Sequence, residues 1–257
     1  MEAQRIGGAA SSLLSPLLDG EGVGLREVAR TWGSVHYATA TDTMPVFCVC
    51  DPSAVRLPNA LVAESLPGAG RATIGRGLLV APGGAWSVTR WWLPPRPSGL
   101  RPPRGSPVGP FPTEPELRLL AVPRISRSYD GLRPATLIGA GPGLTPAGDD
   151  LVAGALVAAH ATADPRLPRW QGAVRELLDT GRTTAVSVGL LHCALEGYAT
   201  QELSDFVHAV CDQETESGPS DLARATATLL AVGHSSGAAL MTGVLHTFST
   251  TRMRGAA

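Results

Sequence analysis

Twelve residues constrain this chain more than any others: Gly139 to Asp150, G-A-G-P-G-L-T-P-A-G-D-D. Four glycines, two prolines and a threonine lead into two adjacent aspartates. Behind them runs L-V-A-G-A-L-V-A-A-H, residues 151–160, small or aliphatic at every position before the histidine. A helix that is apolar all round is buried, so this loop must deliver its chain into a protein interior or a cleft. A Gly-rich loop feeding such a helix gathers free backbone N–H groups at the positive end of a helix dipole, a ready anion site. Thr145 is expected at the N-cap and Pro146 at the first helical position. Asp149 and Asp150 then fall in the first turn. Two carboxylates beside an anion pocket suit either a bridging metal, magnesium in particular, or proton transfer. The plainer reading is dipole compensation, worth about 0.3–1 kcal/mol.

Two further stretches repeat the pattern. R-T-T-A-V-S, residues 182–187, opens an apolar helix carrying His192. G-H-S-S-G, residues 233–237, opens another, A-A-L-M-T-G-V-L. Each sets hydroxyls at a helix start. If the three starts meet, they pool N–H donors, hydroxyls, the aspartates and His234 into a site that stabilises developing negative charge. His234, between glycine and serine, is the best-placed histidine for acid–base work or anion contact. The small residues Gly154, Gly189, Gly197 and Gly243 are explained equally well by close helix packing.

The rest of the chain divides by pattern. Residues 8–19 are expected to form a short helix, with Leu13, Leu14, Leu17 and Leu18 at helical spacing. From about Gly24, short β-branched and aromatic runs (V-H-Y-A-T-A, P-V-F-C-V-C, A-T-I-G-R-G-L-L-V-A, A-W-S-V-T-R-W-W) are punctuated by Gly, Pro, Asp and Asn. They read as strands of a small antiparallel sheet or barrel. Residues 94–116 are proline-rich and, as a run, hold neither ladder nor helix, while residues 114–122 are expected to form one short helix. After Gly139 the period is helical, with windows 146–162, 167–179, 183–198, 201–212, 219–231 and 235–247. The expected class is α+β: a β-rich part over 1–93, a proline-rich linker or strap over 94–122, and a bundle of buried apolar helices over 123–257.

Composition narrows the functions. All 21 of the Lys+Arg residues are arginines, and the net charge is −1. No basic field invites nucleic acid, and no lysine exists for a Schiff base or a Walker motif. Four cysteines, Cys48, Cys50, Cys193 and Cys211, imply no disulfide framework. No apolar run reaches membrane-span length and no signal peptide is evident, so a cytoplasmic location is expected. The apolar helices also suit a homo-oligomer interface.

The three motifs together, G-A-G-P-G-L-T-P-A-G-D-D-L-V-A-G, T-T-A-V-S-V-G-L-L-H-C-A-L-E-G and G-H-S-S-G-A-A-L-M-T-G, resemble the AllH-like family, linked to oxamate carbamoyltransferase. The resemblance implies chemistry on a carbamoyl, ureido or amide group of a small acid: oxalurate plus phosphate giving oxamate plus carbamoyl phosphate, or the reverse. It also implies a partner subunit. On that basis Asp149, Asp150 and His234 are the acid–base candidates. Gly141, Gly143, Leu144, Thr145, Gly148, Thr184, Ser187, Ser235, Ser236 and Gly237 are the candidates for holding substrate or phosphate. No cofactor is required, with magnesium left open. The competing reading is a non-catalytic subunit that binds a small anion.

Overall fold

The computed structural model describes residues 5–104, 107, 109–125, 132–212 and 218–251. The chain divides into two compact units, Met1–Pro94 with Val188–Cys193, and Pro95–Ser187 with Ala194–Ala257.

The first unit is a closed eight-stranded barrel. Its strands are β1 (Arg5–Ser11), β2 (Val23–Arg30), β3 (Ser34–Ala38), β4 (Val46–Cys50), β5 (Ala60–Ala63), β6 (Ala72–Gly75), β7 (Leu78–Ala81) and β8 (Gly84–Trp92). They close in the order β1-β5-β4-β3-β2-β6-β7-β8. Six junctions are antiparallel, while β1–β8 and β4–β5 are parallel. Alternation places Val35, Tyr37, Phe47, Val49, Leu61, Ile74, Leu79 and Trp86 in one core, as period-2 geometry requires. Every residue of β4 is nonetheless buried. Cys48 and Cys50, two apart and so on one face, pack on the other side with Ala60, Val62 and Trp92. The stretch read as one segment, A-T-I-G-R-G-L-L-V-A, is a hairpin: Gly75 pairs with Leu78. Arg76 and Gly77 take φ of 53° and 77°, the two positive angles that a type I′ turn needs.

One expectation fails here. Residues 8–11 are strand, and helix is confined to a short 3-10 turn and α1 (Ser15–Asp19). The segment Gly7-Gly8-Ala9-Ala10 has little strand preference of its own. It is held by β5 on one side and β8 on the other, and closing the barrel overrides local propensity. Trp91 is 48% exposed and lies outside the core, while Trp92 packs on the cysteine cluster under the Arg56 guanidinium.

The second unit is helical: α2 (Glu114–Leu119), α3 (Pro134–Leu137), α4 (Ala147–Ala161), α5 (Leu167–Leu178), α6 (Ala185–Leu195), α7 (Gln201–Cys211), α8 (Gly218–Leu230) and α9 (Ser236–Thr251). Residues 188–193 of α6 group with the barrel. Every residue of α4 but His160 is buried. Its close neighbour is α9, and the contact is backbone to backbone. A Cβ on Gly154 would collide with the Leu240 carbonyl, and one on Gly243 with the Leu151 carbonyl. Gly154→Ala is therefore expected to destabilise the helical unit by about 2–3 kcal/mol, the cost of overpacking a rigid contact. A fall in melting temperature, with the barrel intact, checks this.

The proline-rich stretch is fastened rather than free. The Ala199 N–H donates to the Pro95 carbonyl at 2.9 Å and the Leu100 N–H to Ala161 at 2.8 Å. Arg96 Nε donates to the Glu196 carbonyl at 2.7 Å and its guanidinium lies over the Tyr198 ring. No helix among the described residues is long and apolar enough to cross a membrane.

Candidate functional site

The starts of α4, α6 and α9 meet within the helical unit. Asp149 Oδ1 accepts the Gly139 N–H at 2.8 Å, and its Oδ2 accepts the Thr183 hydroxyl. Thr184 caps α6 by accepting the Ser187 N–H at 3.1 Å, and its hydroxyl donates to the Leu144 carbonyl at 2.6 Å. The Thr145 and Ser236 hydroxyls are 3.1 Å apart. Three side-chain hydrogen bonds thus stitch one loop and the α4 start to two helix starts that lie over 30 and 90 residues further along the chain. Gly139 is required for this closure. Its φ is +78°, and a Cβ would strike the Arg182 carbonyl.

Thr145 does not cap α4. Pro146 holds the cap position with φ −52° and ψ 135°, so the helix begins one residue later than expected. The Thr145 hydroxyl faces Ser236 instead of the helix amides. The amides of the first turn are partly consumed: Gly148 donates to the Ala140 carbonyl at 2.8 Å and Asp149 to Pro146 at 2.9 Å. Gly237 likewise donates to Val232 at 3.0 Å. The N–H groups of Gly141, Gly143, Leu144 and Thr145 make no hydrogen bond among the described residues. The 141–144 stretch is exposed and Thr145 is half-buried.

The two aspartates differ sharply. Asp149 is tied down on both oxygens. Asp150 is only 6% exposed, and its Oδ2 has no hydrogen-bond partner among the described residues. Burial pushes its carboxyl from the usual 3.8 up to about 7. The Ser236 and Thr145 hydroxyls pull it down in part, and the neighbouring Asp149 pushes it up. A carboxyl titrating near neutrality, beside two hydroxyls, is suited to passing a proton. Ser187 is also buried with an unpartnered Oγ.

The remaining candidates divide. Gly148 and Gly237 are packing glycines, each pressed on a carbonyl, of Leu137 and Leu229. Ser235 lies half-buried in the turn before α9, and His234 is exposed in that turn. Thr183 binds Asp149 and is not among the candidates named from the sequence. The signal was the doubled threonine ahead of α6, of which only the capping member was singled out. Burial raises the Cys193 and Cys211 thiols to about 12, which disqualifies both as nucleophiles near neutral pH.

This segment has known relatives. Residues 137–248 match the AllH family, described as oxamate carbamoyltransferase subunit AllH. The AllH-family segment begins just before the stitched loop and ends within α9, so all three helix starts lie inside it. No solved structure matches the chain. Among the described residues no group of three or more His, Cys, Asp and Glu is placed to hold a metal ion. Asp149, occupied on both oxygens, is a poor ligand for an ion shared with Asp150.

Proposed function

We propose that the chain is a catalytic subunit transferring a carbamoyl group between a small amide acid and phosphate, in the manner that the AllH description names. The observation that carries this reading is Asp150, a buried carboxyl with an unpartnered oxygen, where the three helix starts converge. In the direction of oxalurate formation, the amide nitrogen of oxamate forms a bond to the carbamoyl carbon. The bond from that carbon to the phosphate oxygen breaks, and the phosphate leaves with the electron pair. The unused N–H groups of Gly141, Gly143, Leu144 and Thr145 bind the phosphate or the oxyanion, where one such donor is worth about 2.7–4 kcal/mol. Thr145, Ser235 and Ser236 add hydroxyls at the start of α9. Asp150 moves the proton from nitrogen. Asp149 is a positioning residue that fixes the loop through Gly139 and Thr183, and Thr184 fixes it through the Leu144 carbonyl. Gly148 and Gly237 set the spacing of the helices behind it. His234 stands at the rim as a second contact for the anion. The family description also makes a partner subunit the expected companion of this chain.

Thermal melting of the purified chain with carbamoyl phosphate and oxamate tests this. A ligand at about a hundred times its dissociation constant adds about 2.7 kcal/mol, a rise of about 5–10 °C for a chain of this size. Leu144→Pro, which removes one of the free donors at a position whose φ is not positive, is expected to shrink the shift for carbamoyl phosphate. Absence of any shift contradicts the assigned site.

A further inference from the structure

Asp150 is more than a proton carrier in waiting; its surroundings specify what it reads. Its carboxyl is buried at the gap between the starts of α4 and α9, and one oxygen has no partner. The groups facing it are polar but uncharged except for one. From the preceding loop comes the Thr145 hydroxyl, from α9 the Ser236 hydroxyl, and from α4 itself the Asp149 carboxylate. Thr183, at the α6 start, engages the neighbouring Asp149.

Burial in such a place favours the neutral carboxyl, as happens where apolar sites keep an acid protonated so that it can donate a hydrogen bond. A neutral carboxyl presents an O–H donor and a C=O acceptor side by side. A primary amide presents the complementary pair, C=O and N–H, at the same spacing. We propose that neutral Asp150 recognises the primary amide of the acceptor substrate as a cyclic two-bond pair, and so selects an amide over the corresponding carboxylate. This rests on the carbamoyl-transfer reading above and deepens it.

The pair also solves a chemical problem. An amide nitrogen is a poor nucleophile because its lone pair is delocalised. Within the pair the Asp150 O–H proton passes to the amide oxygen while the Asp150 carbonyl oxygen takes a proton from nitrogen. Asp150 remains neutral, and the amide becomes its imidic tautomer with a localised nitrogen lone pair. That nitrogen bonds to the carbamoyl carbon as the phosphate leaves. The proton on the former amide oxygen then passes to the departing phosphate, restoring the amide in the product. No oxidant, metal or net proton from solvent is needed.

The experiment is calorimetric titration of the purified full chain with oxamate and with oxalate, at pH 6 and pH 8.5, on wild type, Asp150→Asn and Asp150→Ala. A site built around a donor and an acceptor rejects a ligand that leaves them unpaired. Wild type is expected to bind oxamate at least about a hundredfold tighter than oxalate at pH 6. Oxamate affinity is expected to fall about thirtyfold by pH 8.5, in proportion to the neutral fraction of Asp150. Asparagine presents the same donor and acceptor permanently. Asp150→Asn should therefore keep the preference for oxamate, and lose its pH dependence, while losing turnover; a purely structural residue would not set the preference. Asp150→Ala should lose the preference. Equal binding of oxamate and oxalate by wild type, a pH-independent oxamate affinity, or loss of the preference in Asp150→Asn each overturns the amide pairing. If those failures occur while carbamoyl phosphate still binds, the transfer reading stands without it. If neither oxamate nor carbamoyl phosphate binds, both fall.

Discussion

Asp150→Asn is expected to make the protein more stable at pH 8 and to leave it almost unchanged at pH 4. Burial lifts the Asp150 carboxyl from 3.8 to about 7. A raised pKa contributes stability that is fully present below the unfolded value. It is lost as pH rises through the folded value, because the unfolded chain releases the proton first. The window is pH 4 to 7. A difference of about three pH units at about 1.4 kcal/mol each corresponds to about 4 kcal/mol. Asparagine makes no such titration, so the gap between variant and wild type should open across this window and then stay constant. Denaturant unfolding at pH 4, 5.5, 7 and 8.5 measures it. A gap that does not change with pH would show that the carboxyl is already solvated and ordinary.

The second large effect has the opposite sign and involves both units. Burial lowers His36 in β3 to about 4, and burial with the nearby Arg166 charge lowers His246 in α9 to about 4, both from 6.5. Each is neutral in the fold. A depressed pKa contributes stability present above the unfolded value and lost as pH falls through the folded one. Between pH 6.5 and 4 the unfolded chain takes up protons that the native chain refuses. The loss is about 3 kcal/mol for each histidine. It runs against the gain from Asp150 over the same range, so it is cleanest in the Asp150→Asn background. There, acid destabilisation should be steep, and His36→Gln and His246→Gln should each flatten it. Curves that coincide with the parent would remove the histidines from the account.

The helical half was legible because its signals were local. Apolar runs bounded by Pro, Gly, Ser and Thr gave six windows, and α4 to α9 begin and end close to them. The barrel was legible only in part. P-V-F-C-V-C announces a buried strand, but β1 is centred on Gly7, Gly8, Ala9 and Ala10, whose strand conformation comes from β5 and β8 and not from themselves. Leu13 to Leu18 pulled the reading toward helix. At the site, the meeting of the three helix starts could be anticipated from their likeness. The division of labour between adjacent aspartates could not. Asp149 and Asp150 share one turn and one chemistry in the sequence. Only the fold shows that Gly139 and Thr183 take both oxygens of the first and that the second is left buried without them. The use of Gly148 and Gly237 in packing was similarly hidden, because a glycine needed for close approach looks the same as one needed for an anion.

The measurement that bears most directly on the central claim is phosphate release from carbamoyl phosphate by the purified chain, with and without oxamate, for wild type and Asp150→Ala. The expected result is oxamate-dependent release matched by oxalurate formation, slowed about a hundredfold to ten-thousandfold in the variant, the range for a lost proton-transfer group. Equal rates in the two proteins, or no oxamate-dependent release by the wild-type chain, would contradict it.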